Sequence, residues 1–187
     1  AGLRKLVVIE CGLAERGVVE KTSSYDLNLV ADDPALNVFN IGTDVWSGRS
    51  RGIFINAPSN STVLINVSGE FVGITNSSMN VSGTSHENVL INYVDAKTVA
   101  TAGFKHTASV LAMQADGVFS GGSIDGRAVF GGSVVTTNGF EFHNYHFTGA
   151  ICTGDEPEDT PPRMTYAFKV ENTGNVPLYN IEIDDPL

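Results

Sequence analysis

The stretch GFEFHNYHFTG, residues 139–149, holds two of the chain's four histidines, His143 and His146, together with Glu141, Asn144 and four aromatic rings. Imidazoles beside a carboxylate are raw material for general acid–base or metal chemistry. Their spacing argues against both. If the stretch is extended, Phe140, Phe142, Asn144 and His146 share one face, and Glu141, His143, Tyr145 and Phe147 share the other. The two histidines then point opposite ways and cannot chelate one ion. A helix would bring them together, but Gly139 and the density of aromatic residues disfavour one. Aromatic rings on both faces suggest burial on both sides, with His143 and Asn144 satisfying backbone groups at a turn.

The remaining reactive residues form no catalytic pattern. Serines occur in Gly-Gly-Ser contexts rather than GxSxG, no HExxH is present, and His86 and His106 are far from the pair in sequence. The expectation is a protein without catalytic residues, cofactor or metal. The only cysteines, Cys11 and Cys152, have no zinc spacing. Two readings stay open: a disulfide tying the start of the chain to the end of its main domain, or two buried thiols. Asp155, Glu156, Glu158 and Asp159 form an acidic run that reads as a solvated loop, with a weak Ca²⁺ site as the alternative.

Charge narrows the partners. The net charge is −10 with 11 Lys+Arg, and the basic residues are scattered rather than grouped, so nucleic acid and anionic membrane are poor partners. No apolar run approaches the roughly 20 residues that span a bilayer as a helix. The opening residues lack an initiator Met, and Glu10 breaks their apolar run, so the chain reads as a processed or excised piece without an intact signal peptide.

Between residues 60 and 82 the chain carries Asn-x-Ser/Thr at Asn60, Asn66, Asn76 and Asn80. Four sequons in so short a window point to a secreted, N-glycosylated protein, with a bacterial surface protein that leaves them unused as the alternative. Their even spacing predicts one shared, solvent-facing side if the window is a regular ladder.

The elements that must position these residues are short and β-rich. From Tyr25 onward come LNLV, LNVFNI, GIFINA, STVLINVSG, FVGIT, VLINYV, KTVATAG, SVLAM and YAFKVEN, separated by Gly, Asn, Asp and Ser. Residues 1–34 form an N-terminal segment holding a short helix or a strand and turn. The fold expectation is all-β: a β-helix or solenoid-like, or tightly turned, β domain followed by a β-hairpin. GGSIDGRAVF and GGSVVTTNGF repeat at a period of ten over 121–140, which fits two successive strand-plus-turn units.

Read in order, ALNVFNI, IFINAPSNSTVLINVSG, ENVLINYVDAKTV, HTASVLAMQADGVFSGGSIDGRAVFGGSV and FEFHNYHFTG resemble the later part of the choice-of-anchor A domain, over roughly residues 35–149, and the resemblance implies that the histidine-rich stretch is the closing strand of that domain. The family's Gly-rich opening is not visible before Leu36, and Ala112-Met113-Gln114-Ala115 stands where the family tends toward LAPNA. After the Pro-rich, acidic linker 153–163, MTYAFKVENTGNVPLYNIEIDDPL resembles the first two strands of DUF11-like, immunoglobulin-type repeats of surface proteins. Two strands cannot cover their own apolar face, so 164–187 is expected to dock on other β surface, its own or a neighbouring subunit's.

The resemblances imply a non-enzymatic extracellular structural or adhesive protein. It would be a subunit of a surface appendage, filament or coat, self-associating through the C-terminal hairpin, with a glycan or matrix ligand. The alternative is an ice- or carbohydrate-binding β-solenoid, for which only KTVAT at 97–101 and VVTT at 134–137 hint at a threonine ladder.

Overall fold

The computed structural model describes residues 17–20, 25–47 and 52–151. The chain divides into a unit ending at Thr153 and a second unit, Gly154–Leu187, which lies outside the described residues. Alternating inward and outward side chains with β-branched inward positions make strands of nearly every segment. In chain order they are β1 (Val18–Glu20), β2 (Asp26–Val30), β3 (Leu36–Gly42), the one-turn helix α1 (Thr43–Trp46), β4 (Gly52–Asn56), β5 (Thr62–Ser68), β6 (Phe71–Ser82), β7 (Val89–Tyr93), β8 (Thr98–His106), β9 (Ser109–Ala112), β10 (Asp116–Asp125), β11 (Ala128–Phe130), β12 (Val134–Thr137) and β13 (Glu141–His143). The all-β expectation holds.

Apart from the antiparallel β1–β2 pair, the strands pair in parallel with the equivalent strand one circuit of the chain later. The order is β3-β5-β7-β9-β11 in one sheet and β1-β2-β4-β6-β8-β10-β12 in the other, with β13 also on β10. The long strands β6, β8 and β10 bend in mid-course. Their second halves continue the β2–β4 ladder, and their first halves form a ladder that β12 joins. Three outward faces result. The first carries β3, β5, β7, β9 and β11; the second carries β2, β4, the second halves and β13; the third carries the first halves and β12.

The bend recurs at one register position. Asn76, Gly103, Gly121 and Asn138 all have positive φ, between 48° and 63°, and they follow the matched residues Thr75, Ala102, Ser120 and Thr137. Only Gly and Asn enter the left-handed region at small cost, so sequence alone fixes this corner. An added Cβ on Gly103 would come within 3.0 Å of the Asn76 carboxamide oxygen, so the corners are also stacked closely.

Inward side chains stack like on like. Leu27, Ile53 and Met79 form one column, and Phe39, Ile65, Ile91 and Val110 another; all are buried. Each fully buried aliphatic side chain contributes about 1.5–3 kcal/mol. Successive circuits shorten from 26 residues, the separation of Asn40 from Asn66 and of Asn66 from Asn92, to 18, the separation of Asp125 from His143. The ten-residue repeat is the mark of these short circuits. Its two Gly-Gly corners turn the chain on to different faces, and its phenylalanines, Phe130 and Phe140, both pack on Phe119, at 5.6 Å edge-on and 4.6 Å stacked.

Candidate functional site

The outer surface of the third face is made of small, uncharged side chains in register. Gly73, Ala100, Val118 and Val135 form one row across the strands; Thr75, Ala102, Ser120 and Thr137 form the next. Phe71, Thr98 and Asp116 border them. Residues lie about 4.8 Å apart within a row, from strand to strand, and the rows lie about 6.6 Å apart along the strands, the β spacing itself. Phe71 leans over Gly73, where a Cβ would meet its ring at 2.8 Å. The bordering carboxylate is engaged: Asp116 accepts from the Ser133 N–H at 2.7 Å. Ser120 Oγ accepts from the Asn138 amide at 2.7 Å. What remains is a grid of small aliphatic and hydroxyl side chains, overhung at one edge by Phe71, with no ionisable group in its interior. Such a surface can act by shape-matched contact and cannot carry general acid–base chemistry.

Half of the threonine hints belong to it. Thr98 and Thr137 face outward here, whereas Thr101 points inward and is buried. The sequence signal that would have found the face is the repeated ending T-N, A-G, S-G and T-N, a small residue before each left-handed corner.

The first face is built differently. Leu36, Val38, Leu64 and Leu90 point outward yet are buried, because the segment after β13 runs back across them and packs Phe147 and Ile151 on the cluster. Thr148 N–H donates to the Glu87 carbonyl at 2.8 Å, and Ala150 N–H donates to Thr62 Oγ1 at 2.9 Å. Beside the cluster, Asn66 Nδ2 donates to Asn40 Oδ1 and Asn92 Nδ2 donates to Asn66 Oδ1, both at 3.0 Å.

The histidine-rich stretch closes the fold, with two corrections. His143 does not serve backbone groups: its Nδ1 sits 2.7 Å from Asp125 Oδ1 and its Nε2 3.1 Å from Glu141 Oε2. Lys105 Nζ lies 2.8 Å from Asp125 Oδ2, and Ser123 donates to the same carboxylate. Nor are both sides of the stretch buried, since strand geometry ends at His143 and Phe142 and Tyr145 are exposed. The hydrogen bonds to Asp125, then to Glu141, raise the His143 pKa above its ordinary value. Burial opposes ionisation of Asp125 most, yet the bonds from Lys105, His143 and Ser123 together hold its pKa below the usual value. His146 lies apart, against Arg127 at 3.0 Å, so the two histidines share no ligand.

His106 is a core residue. Its Nε2 is 3.4 Å from the Tyr93 hydroxyl, and burial lowers its pKa to about 4. Among the described residues no group of three or more His, Cys, Asp or Glu side chains is placed to hold a metal ion, and no helix is long and apolar enough to cross a membrane.

The four sequon asparagines do not share one side. Asn60 sits in a turn before β5, Asn66 on the first face, Asn76 at the left-handed corner and Asn80 on the second face. The turn and the corner break the parity that the even spacing predicted. Cys11, Cys152 and the acidic run Asp155–Asp159 lie outside the described residues, as does the hairpin 164–187.

Residues 8–144 match the model of a protein family described as "Putative Ice-binding-like adhesive domain". No curated protein and no solved structure matches the chain.

Proposed function

The chain belongs to the ice-binding-like adhesive domain family, and from that premise we propose that it is a non-enzymatic adhesive module of the cell exterior whose third face is the contact surface. The observation that carries this is the in-register grid of Gly73, Ala100, Val118 and Val135 beside Thr75, Ala102, Ser120 and Thr137. A regular lattice of small groups loses little side-chain entropy on contact. It also meets a repeating surface at many equivalent points, so many weak contacts add.

The finer reading is a subunit of an appendage or coat, secreted and glycosylated at Asn60, Asn66, Asn76 and Asn80, with copies joined by strand pairing through 164–187. It draws support from β12, which has a ladder on one side only among the described residues, and from the resemblance of 35–149 and 164–187 to choice-of-anchor A and DUF11-like domains. A second reading, that the target is ice or an ordered polysaccharide, is favoured by the outward Thr75, Thr98 and Thr137.

The test is retention of labelled protein on ice, microcrystalline cellulose and chitin beside a passivated surface. Wild type is expected to be retained on at least one ordered surface, and Ala100→Lys to lose that retention without loss of fold. Equal retention of wild type and variant would remove the third face from the account. Electron microscopy of the purified protein tests assembly: filaments or sheets support it, and single particles alone contradict it.

A further inference from the structure

On the second face, away from the adhesive grid, β2, β4 and the second half of β6 frame a shallow groove of about 270 Å³. Asn28, Phe54 and Asn80 are in register across it, and Val30, Asn56 and Ser82 form the adjoining row. All six side chains face outward, opposite the buried Leu29 and Ile55. Phe54 is 40% exposed and leans back along its own strand over Gly52, where a Cβ would lie 3.0 Å from Cε2 and Cζ. The missing side chain at Gly52 lets the sheet back one side of the ring while the other side looks into the groove.

We propose that this groove binds an uncharged glycan, with Phe54 as the stacking platform and Asn56 and Asn80 as the groups that read its hydroxyls. A sugar ring offers a face of C–H groups and a rim of hydroxyls that both donate and accept. The negative face of an aromatic ring attracts the slightly positive C–H groups, and a carboxamide supplies two donors and an acceptor in one plane. A mostly apolar cleft with a few placed polar groups is the general form of a small-ligand site. The polar rim is partly fixed already: Asn80 Nδ2 donates to Ser78 Oγ at 3.2 Å, and Ser82 Oγ donates to the Ile55 carbonyl at 3.1 Å.

Other occupants fit less well. Among the described residues no charged side chain lines the groove, so an ionic ligand would lose hydration there without gaining a partner from them. An extended peptide adds to a free strand edge, but β4 is paired on both sides, by β2 and β6.

The experiment is titration of isotope-labelled, unglycosylated protein with cellohexaose, maltohexaose and chitohexaose, followed by backbone NMR. At least one is expected to shift the amide signals of residues 28, 54 and 80. Phe54→Ala should weaken that binding by about tenfold or more, Phe54→Tyr should keep it, and Val118→Lys on the third face should leave it unchanged. The site is that of chains left unmodified at Asn80, which begins the sequon Asn80-Val81-Ser82: a glycan attached there should block it. The proposal is overturned if none of the three shifts these signals at about 10 mM, if Phe54→Ala binds like wild type, or if an oligogalacturonate of equal length binds as tightly. Loss of soluble-sugar binding leaves adhesion through the third face standing, and the reverse holds as well.

Discussion

The first and third faces are two outer surfaces of one fold, and both carry apolar residues that point away from the core. On the first face they are large, Leu36, Val38, Leu64 and Leu90, and the chain's own segment ending in Phe147 and Ile151 covers them. On the third they are small, Gly73, Ala100, Val118 and Val135, and no described segment crosses them. An outward apolar row is therefore evidence of a contact surface only after the fold's own closing segments have been accounted for. The large residues stabilise the molecule from outside; the small ones are left for something else.

Substitutions separate the two faces by size of effect. Leu64→Ala should cost about 2–4 kcal/mol, as for any buried leucine, read as a lower denaturation midpoint in urea with an unchanged slope. If it proves neutral, the covering segment does not pack as described. Phe147→Ala acts on the other side of the same contact. Because Phe147 is only partly buried, a smaller loss is expected, about 1–3 kcal/mol, and the double variant should lose less than the two singles added together. Asn66→Ala removes both rungs of the amide row between Asn40 and Asn92, at about 0.5–1.5 kcal/mol for each bond. Val118→Thr on the third face should change stability by no more than about 0.5 kcal/mol.

The ion cluster at β13, on the second face just before the covering segment, gives a pH test of the closure. His143 has a raised pKa in the folded state, so its contribution is complete below the unfolded value of about 6.5 and is lost as pH rises through the higher folded value. Asp125 has a lowered one, so its contribution is present above about 3.9 and is lost as pH falls through the folded value. The cluster's own contribution is therefore complete between about pH 4 and 6.5. Buried His106, with its pKa lowered to about 4, withdraws stability as pH falls below about 6.5, so overall stability should peak near pH 6.5 and decline on both sides. His143→Gln should flatten the alkaline side only; an unchanged alkaline decline would separate that decline from His143.

Much of the fold was legible in residues 25–143. Inward β-branched and aromatic positions at a period of two gave the strands, and Gly and Asn gave the turns. The parallel stacking was visible only where circuits are short and nearly repeat, at 121–140. Longer circuits hid it, because turns of unequal length erase a fixed period. Strand parity separated the two histidines and the family resemblance placed the stretch as the closing strand, but Asp125, the nearer partner of His143, comes from β10, 18 residues earlier, and no local pattern reports such a pairing. The third face was the least legible. Glycine, alanine, valine, serine and threonine are ordinary β residues singly, and they become a surface only when three or four strands are laid side by side.

The most direct test is a matched pair of charge insertions, Val118→Lys on the third face and Ser68→Lys on the first, each compared with wild type for the fraction retained on the ordered surface that holds the protein best. Both positions are exposed, so both variants should fold. The account predicts that Val118→Lys loses at least about tenfold in retention, about 1.4 kcal/mol, while Ser68→Lys keeps it. Equal retention by the two variants, or a greater loss with Ser68→Lys, would contradict the assignment of adhesion to the third face.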